Sequence, residues 1–181
     1  YVFFDTSVSG AHASVVRLAR QPLAAGILVR GLHRYAADGF AAVSVLHLVR
    51  EWLLGHTRGF RWFSWVSGVP LLWLMLAAGT VGFWLPWDDL AQFSLTATLE
   101  WIDALGVFGE PLARNVLTAG RLDDRFFSLL VFLHIGLPLL LTLAVWLHVQ
   151  RIARPAVWPA RTLTLGSIAT LALLAVCVPV V

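Results

Sequence analysis

Four long, predominantly apolar stretches, Leu28–Leu54, Val66–Trp87, Phe126–Val149 and Leu163–Val181, constrain what this chain can fold into more than any other feature. A helix crossing the hydrocarbon core of a bilayer needs about 20 such residues at about 1.5 Å rise each. All four stretches are near or above that length, so each is predicted to be a membrane span. Composition agrees: 59% of the 181 residues are hydrophobic and only 13% charged, where a soluble domain is usually about a quarter charged. Mean hydropathy is +0.81. The predicted fold class is an all-α integral membrane protein.

The charges assign an orientation to these spans. Arg50, Arg58, Arg61, Arg151, Arg154 and Arg161 cluster between the first two spans and after the third, with Glu51 the one acid among them. The loop between the second and third spans holds Asp88, Asp89, Glu100, Asp103, Glu110, Asp123 and Asp124 among far fewer arginines. By the positive-inside rule the arginine loops face the cytoplasm and the acidic loop faces outward. Arg17 and Arg20 then lie outside, against the trend. The location implied is a bacterial inner membrane, crossed several times. All 13 basic residues are arginine and sit in short clusters, so the net charge of +3 makes no basic face for nucleic acid. The one cysteine, Cys177, excludes an intrachain disulfide and a Cys-x-x-Cys-His haem attachment.

Trp52, Trp62, Trp65, Trp84, Trp87 and Trp158 fall near span ends, as interfacial anchors do. Trp73 and Trp146 lie deeper and are expected to pack core. Ser94–Leu105 and Pro111–Leu117 are expected as short helices on the outer surface. Gly26, Gly31, Gly39, Gly79, Gly82 and Gly136 are candidates for close approach of a helix or a flat macrocycle. The chain starts at Tyr1 in an apolar Tyr-Val-Phe-Phe with no initiator Met, and is read as a fragment that begins in the tail of an earlier membrane helix. Residues beyond Val181 are expected to be missing too.

Four of the six histidines lie within spans: His33 and His47 in the first, His134 and His148 in the third, each pair fourteen residues apart. At about 100° per residue, fourteen steps return to within roughly 40° of the same helix face, about 21 Å further along. The two spans are separated by one complete span and therefore run in the same direction. His33 is then at the depth of His134, and His47 at that of His148. This predicts two bis-histidine sites, each holding one non-covalent haem, because neutral imidazole is a good axial ligand for haem iron. A single intramembrane histidine is as readily explained by a hydrogen bond to a neighbouring helix; four with matched spacing are not. Zinc is disfavoured, since ligands about 21 Å apart on a helix cannot share one ion. Arg30 and Arg50, each one helical turn from a histidine toward the nearer surface, are candidates to pair with haem propionates.

These motifs resemble the N-terminal, dihaem half of the cytochrome b family, as in bc-type quinol oxidoreductases. The resemblance rests on Ile27-Leu28-Val29-Arg30-Gly31-Leu32-His33, His47-Leu48-Val49-Arg50, Gly82-Phe83-Trp84-Leu85-Pro86-Trp87, and Arg125-Phe126-Phe127 leading to His134 and His148. It implies a haem-binding four-helix bundle, residues 28–154, whose first helix is largely missing; residues 1–27 would be its end and an outer surface segment. Residues 155–181 would be an additional C-terminal transmembrane helix. His33 and His134 would bind the low-potential haem b near the outer face, and His47 and His148 the higher-potential haem b near the cytoplasmic face. Arg30 and Arg50 match propionate-side arginines, and Gly82 a glycine beside the outer haem. Two features depart from the family: Pro86-Trp87-Asp88 stands where it has Pro-Trp-Gly, and the chain has no Pro-Glu-Trp-Tyr.

The function implied is electron transfer across the membrane between a partner redox protein and the quinone pool. The partners would be other membrane subunits, an Fe–S protein or cytochrome c, quinone and a second copy of the chain, in the lipid bilayer and without nucleic acid. A second polypeptide could complete an outer quinol-oxidising site. Asp88 tilts instead toward an unrelated Fe–S or cytochrome c partner, with quinone exchange only at the inner face. A rival from another class is a proton-relay transporter or channel using the buried histidines, which predicts more intramembrane acids than Asp38.

Overall fold

A computed structural model describes residues 3–21, 25–106, 109–117, 122–150, 152 and 158–180, with the side chains of Ala25, Ile27, Leu112 and Leu117 set aside. Tyr1, Val2, Arg151, Arg154 and Val181, which enter the readings above, lie outside them. The described residues form seven α-helices and no strand: α1 (Ala11–Ala19), α2 (Ala25–Leu53), α3 (Trp62–Trp84), α4 (Asp89–Ala104), α5 (Leu112–Leu117), α6 (Asp124–Val149) and α7 (Arg161–Cys177). A single 3-10 turn, Gly59–Arg61, leads into α3.

Two helices are long and apolar enough to cross a membrane: Gly59–Trp84, which includes that turn, and Asp124–Val149. The other two expected spans differ from these in ways the sequence explains. Helix α2 has 29 residues, but Arg30, Arg34, Asp38, Arg50 and Glu51 leave only its middle free of charge. Helix α7 is apolar but has 17 residues, stopping at Cys177 instead of reaching Val181. Phe3 and Phe4 are not helical, so the expected tail of an earlier helix is not seen there. The segment after them instead forms α1, which its apolar and charged residues did not announce.

The chain divides into two compact units. The first comprises Tyr1–Leu18 and Ala78–Gly136, and its centre is Phe127, wholly buried. Trp87 meets Phe127 edge-on with ring centroids 5.3 Å apart, and Phe4 lies at 6.2 Å. The corner that brings Trp87 there follows from sequence. Pro86 cannot continue α3, and Trp87 takes a left-handed φ of 55° with its N–H on the Trp84 carbonyl at 3.1 Å. That conformation costs a non-glycine residue roughly 1–2 kcal/mol, which burial of the indole offsets. Asp88 then caps α4, its carboxylate accepting from the Ala91 N–H at 2.7 Å. The indole N–H of Trp84 donates to Ser94 Oγ at 3.2 Å, and the Val8 N–H to Asp124 at 2.9 Å. Trp84 and Trp87 are therefore core residues of this unit and not the interfacial anchors their positions suggested.

The second unit comprises Ala19–Ala77 and Leu137–Val181. Here α7 lies against α2 where Gly31 faces Ala175; a Cβ at Gly31 would come within 2.8 Å of the alanine Cβ. Absence of a side chain lets the two backbones approach. Tyr35 donates its hydroxyl to the Val178 carbonyl at 2.6 Å. Trp73 and Trp146, expected in the core, are 67% and 57% exposed. Depth along an apolar helix does not force a tryptophan inward, because lipid is as apolar as the protein interior. Gly39, Gly79 and Gly136 likewise face open space, with nothing within 4 Å of a built Cβ.

The contrast between two glycines of α2 is measurable. Gly31→Val is expected to force α7 away and to lower stability by about 1–3 kcal/mol, whereas Gly39→Ala is expected to be neutral or to stabilise by up to about 1 kcal/mol. Thermal unfolding of the two variants in the same detergent compares them directly.

Candidate functional site

The second unit encloses a cavity of about 710 Å³ between α2, the 3-10 turn, α3 and α6, within the roughly 300–1,000 Å³ typical of small-molecule and cofactor sites. Its walls are mainly apolar, with Phe40, Val43, Leu48, Leu71, Leu72, Met75, Leu141 and Val145 among them. His47 from α2 and His148 from α6 both line it, as the spacing argument expects of the inner pair. Arg50 lines it too and pairs with Glu51.

Local hydrogen bonds orient the histidines of α6. The hydroxyl of Ser67 donates to the Ser64 carbonyl at 3.2 Å, so its lone pair accepts from Nδ1–H of His148 at 2.8 Å. In the first unit, Nδ1 of His134 is 3.0 Å from the Ala78 carbonyl, which can only accept. Both contacts put the proton on Nδ1 and the lone pair on Nε2, the arrangement in which an imidazole ligates a metal while a protein group fixes its ring.

Helix α3 presents glycine to each of these rings. A Cβ at Gly82 would overlap the His134 ring, within 2.8 Å of Nδ1. At Gly68 it would lie 3.4 Å from Cε1 of His148. Gly82 was singled out from sequence; Gly68 was not, although it precedes Gly82 by the same fourteen residues that separate the histidines. That repeated interval was the available signal.

Trp65 was read only as an interfacial anchor. It lines the cavity, and its indole nitrogen is buried without a hydrogen-bond partner. A buried N–H left unmatched costs about 1–3 kcal/mol, so this one calls for an acceptor that the protein does not supply. Two imidazoles, an arginine, an unmatched donor and a glycine-lined wall around one apolar cavity fit a haem, whose propionates are anionic acceptors and whose ring is flat. Among the described residues no group of three or more His, Cys, Asp or Glu is arranged to hold a bare metal ion.

The remaining candidates are placed less compactly. His33 belongs to the second unit and His134 to the first, so their pairing rests on the sequence. Arg30 donates to the Val180 carbonyl at a long 3.4 Å. Arg34 and Asp38 pair with each other at 2.9 Å, one helical turn apart. Asp88 has a structural task as the cap of α4.

Ser67→Ala removes the acceptor that fixes the His148 ring. Loss of such a supporting hydrogen bond typically weakens metal binding about 10–100-fold, and a comparable loss of haem affinity is expected, read by titrating haemin into the purified apoprotein.

The sequence itself matches a known family. A sequence model described as Cytochrome b/b6/petB matches residues 1–155, most of the chain, including His33, His47, His134 and His148. Proteins of this family are membrane components that bind haem b, carry electrons and normally work in complexes with other subunits and quinone. The chain belongs to the cytochrome b family and is a b-type cytochrome of electron transport, matched over the family's N-terminal half.

Proposed function

We propose that this chain is a dihaem cytochrome b subunit that carries electrons across the membrane between a partner redox protein and the quinone pool. The observation that weighs most is the shared cavity of His47 and His148 with the unmatched Trp65 indole on its wall. In this reading His47 and His148 ligate the inner haem through Nε2, and His33 and His134 the outer one. Ser67 and the Ala78 carbonyl hold the α6 rings in the ligating tautomer. Arg50 and the Trp65 N–H receive propionates at the inner site, and Arg30 does so at the outer. Gly68 and Gly82 keep the space beside the rings clear.

Haem when bound supplies a reversible one-electron couple at iron. Held by two imidazoles, the group would be suited to electron transfer and not to oxygen chemistry. The protein sets the potential through ligand identity, the hydrogen bonds on Nδ1 and burial. The arginine loops place the His47 and His148 site toward the cytoplasm in this reading, where quinone exchange is proposed. The capping role of Asp88 gives the outer corner a structural purpose and favours the version with an unrelated Fe–S or cytochrome c partner over a complete outer quinol-oxidising site. The proton-relay transporter is disfavoured because Asp38 is engaged by Arg34.

The purified holoprotein is expected to give a reduced-minus-oxidised spectrum with b-type bands and two haems per chain by pyridine haemochrome. His47→Ala or His148→Ala is expected to leave one. A chain that binds no haem, or that keeps both in these variants, overturns the proposal.

A further inference from the structure

Three helix ends of the second unit lie on one side of it. Helix α2 stops at Leu53, and α3 starts at Trp62 after a short connection. Helix α7 packs along α2, with Ala175 near its end against Gly31 near the start of α2 and the Val178 carbonyl on the Tyr35 hydroxyl. It therefore runs antiparallel to α2, and its first residue, Arg161, lies toward the side where α2 stops. This side carries four exposed aromatic side chains, Trp52, Phe60, Trp62 and Trp158; Phe60 is 84% and Trp158 90% exposed. It also carries two exposed arginines, Arg58 and Arg161, that pair with no carboxylate among the described residues. The nearby acid, Glu51, is already engaged by Arg50, His56 and Arg61.

We infer that this side is a binding belt for anionic phospholipid. Arg58 and Arg161 hold headgroup phosphates, and Trp52, Phe60, Trp62 and Trp158 sit at headgroup depth, where large aromatic rings are favoured. The belt does not depend on the proposed haem ligation.

Three observations favour lipid over a folded partner. Trp52, Leu53 and Leu54 are consecutive and all exposed, and at about 100° per residue they point around the end of α2 instead of forming one face. A protein covers one face of a helix, whereas lipid surrounds it. The exposed apolar surface also continues along the same helices, through Leu46 and Val49 on α2 and Val66 on α3, as a wall against hydrocarbon does. Finally, Arg161 opens α7, and Ala160 gives that helix no side-chain cap. A cation at the positive end of a helix dipole is unfavourable unless an anion joins it. Guanidinium groups pair with phosphate bidentately, which suits arginine to this place.

The test uses the full chain purified in mild detergent and titrated separately with dioleoyl phosphatidylglycerol and dioleoyl phosphatidylcholine, with retained lipid counted by native mass spectrometry. One arginine near an anionic surface strengthens attraction roughly fivefold, so wild type is expected to retain phosphatidylglycerol about 25-fold more tightly than phosphatidylcholine. Arg58→Gln and Arg161→Gln are each expected to lose about fivefold of that preference, and the double variant nearly all of it, with phosphatidylcholine retention unchanged. Equal retention of the two lipids by wild type overturns the inference without any variant having to fold, and so does an undiminished preference in the double variant. Displacement of phosphatidylglycerol by an excess of inorganic phosphate would assign the arginines to a free anion. A lipid-free dimer in the same spectra would assign the surface to a second copy of the chain. Either result overturns the belt.

Discussion

A hydrocarbon bilayer offers no partner to a polar atom, and this protein's organisation answers that constraint. Backbone groups satisfy it by forming helices, since an open strand or irregular segment would leave amides unmatched in lipid. Side chains satisfy it in pairs. Nδ1 of His148 meets a hydroxyl, that of His134 a carbonyl, and Arg34 meets Asp38. Among the described residues the buried indole nitrogen of Trp65 is left without a partner, and the proposed function assigns it an anionic group of the cofactor.

The same constraint bears on the proposed haem sites. A proton on Nδ1 leaves the Nε2 lone pair free, so in the proposed reading the hydrogen bond that makes a buried histidine tolerable also prepares it as a ligand. Glycine serves the opposite need at Gly82, where a side chain would overlap the His134 ring, whereas a Cβ at Gly68 would just touch the His148 ring. Histidine on α6 and glycine on α3 recur at one interval because an α-helix nearly restores its facing after fourteen residues.

Charge is treated differently within the two units. In the first, Asp88 is committed to capping α4, and Trp87 holds a left-handed backbone that the core around Phe127 sustains. In the second, Glu51 gathers Arg50, His56 and Arg61 around itself on the wall of the cavity lined by His47 and His148. The first arrangement builds a rigid joint. The second holds one carboxylate among several basic side chains.

Much of this was legible in the sequence, because periodicity and length act locally. Long helices follow from apolar runs, the placing of His47 and His148 on one cavity agrees with their equal positions in the two intervals, and the family follows from the residues around them. Residues whose role depends on a neighbour distant in sequence were not legible. Trp84 and Trp87 look like interfacial anchors until they are found buried, Trp87 against Phe127, and Trp73 and Trp146 look like core until they are found exposed. Ser67 and Trp65 carry no motif; their parts emerge only when α3 packs beside α6 around the cavity. The sequence by itself determined that the chain makes apolar helices bearing histidines at matched spacing, since helix geometry converts spacing into facing. Only the tertiary structure decided which hydroxyl, carbonyl or glycine meets each ring, since those contacts depend on how the helices pack within each unit.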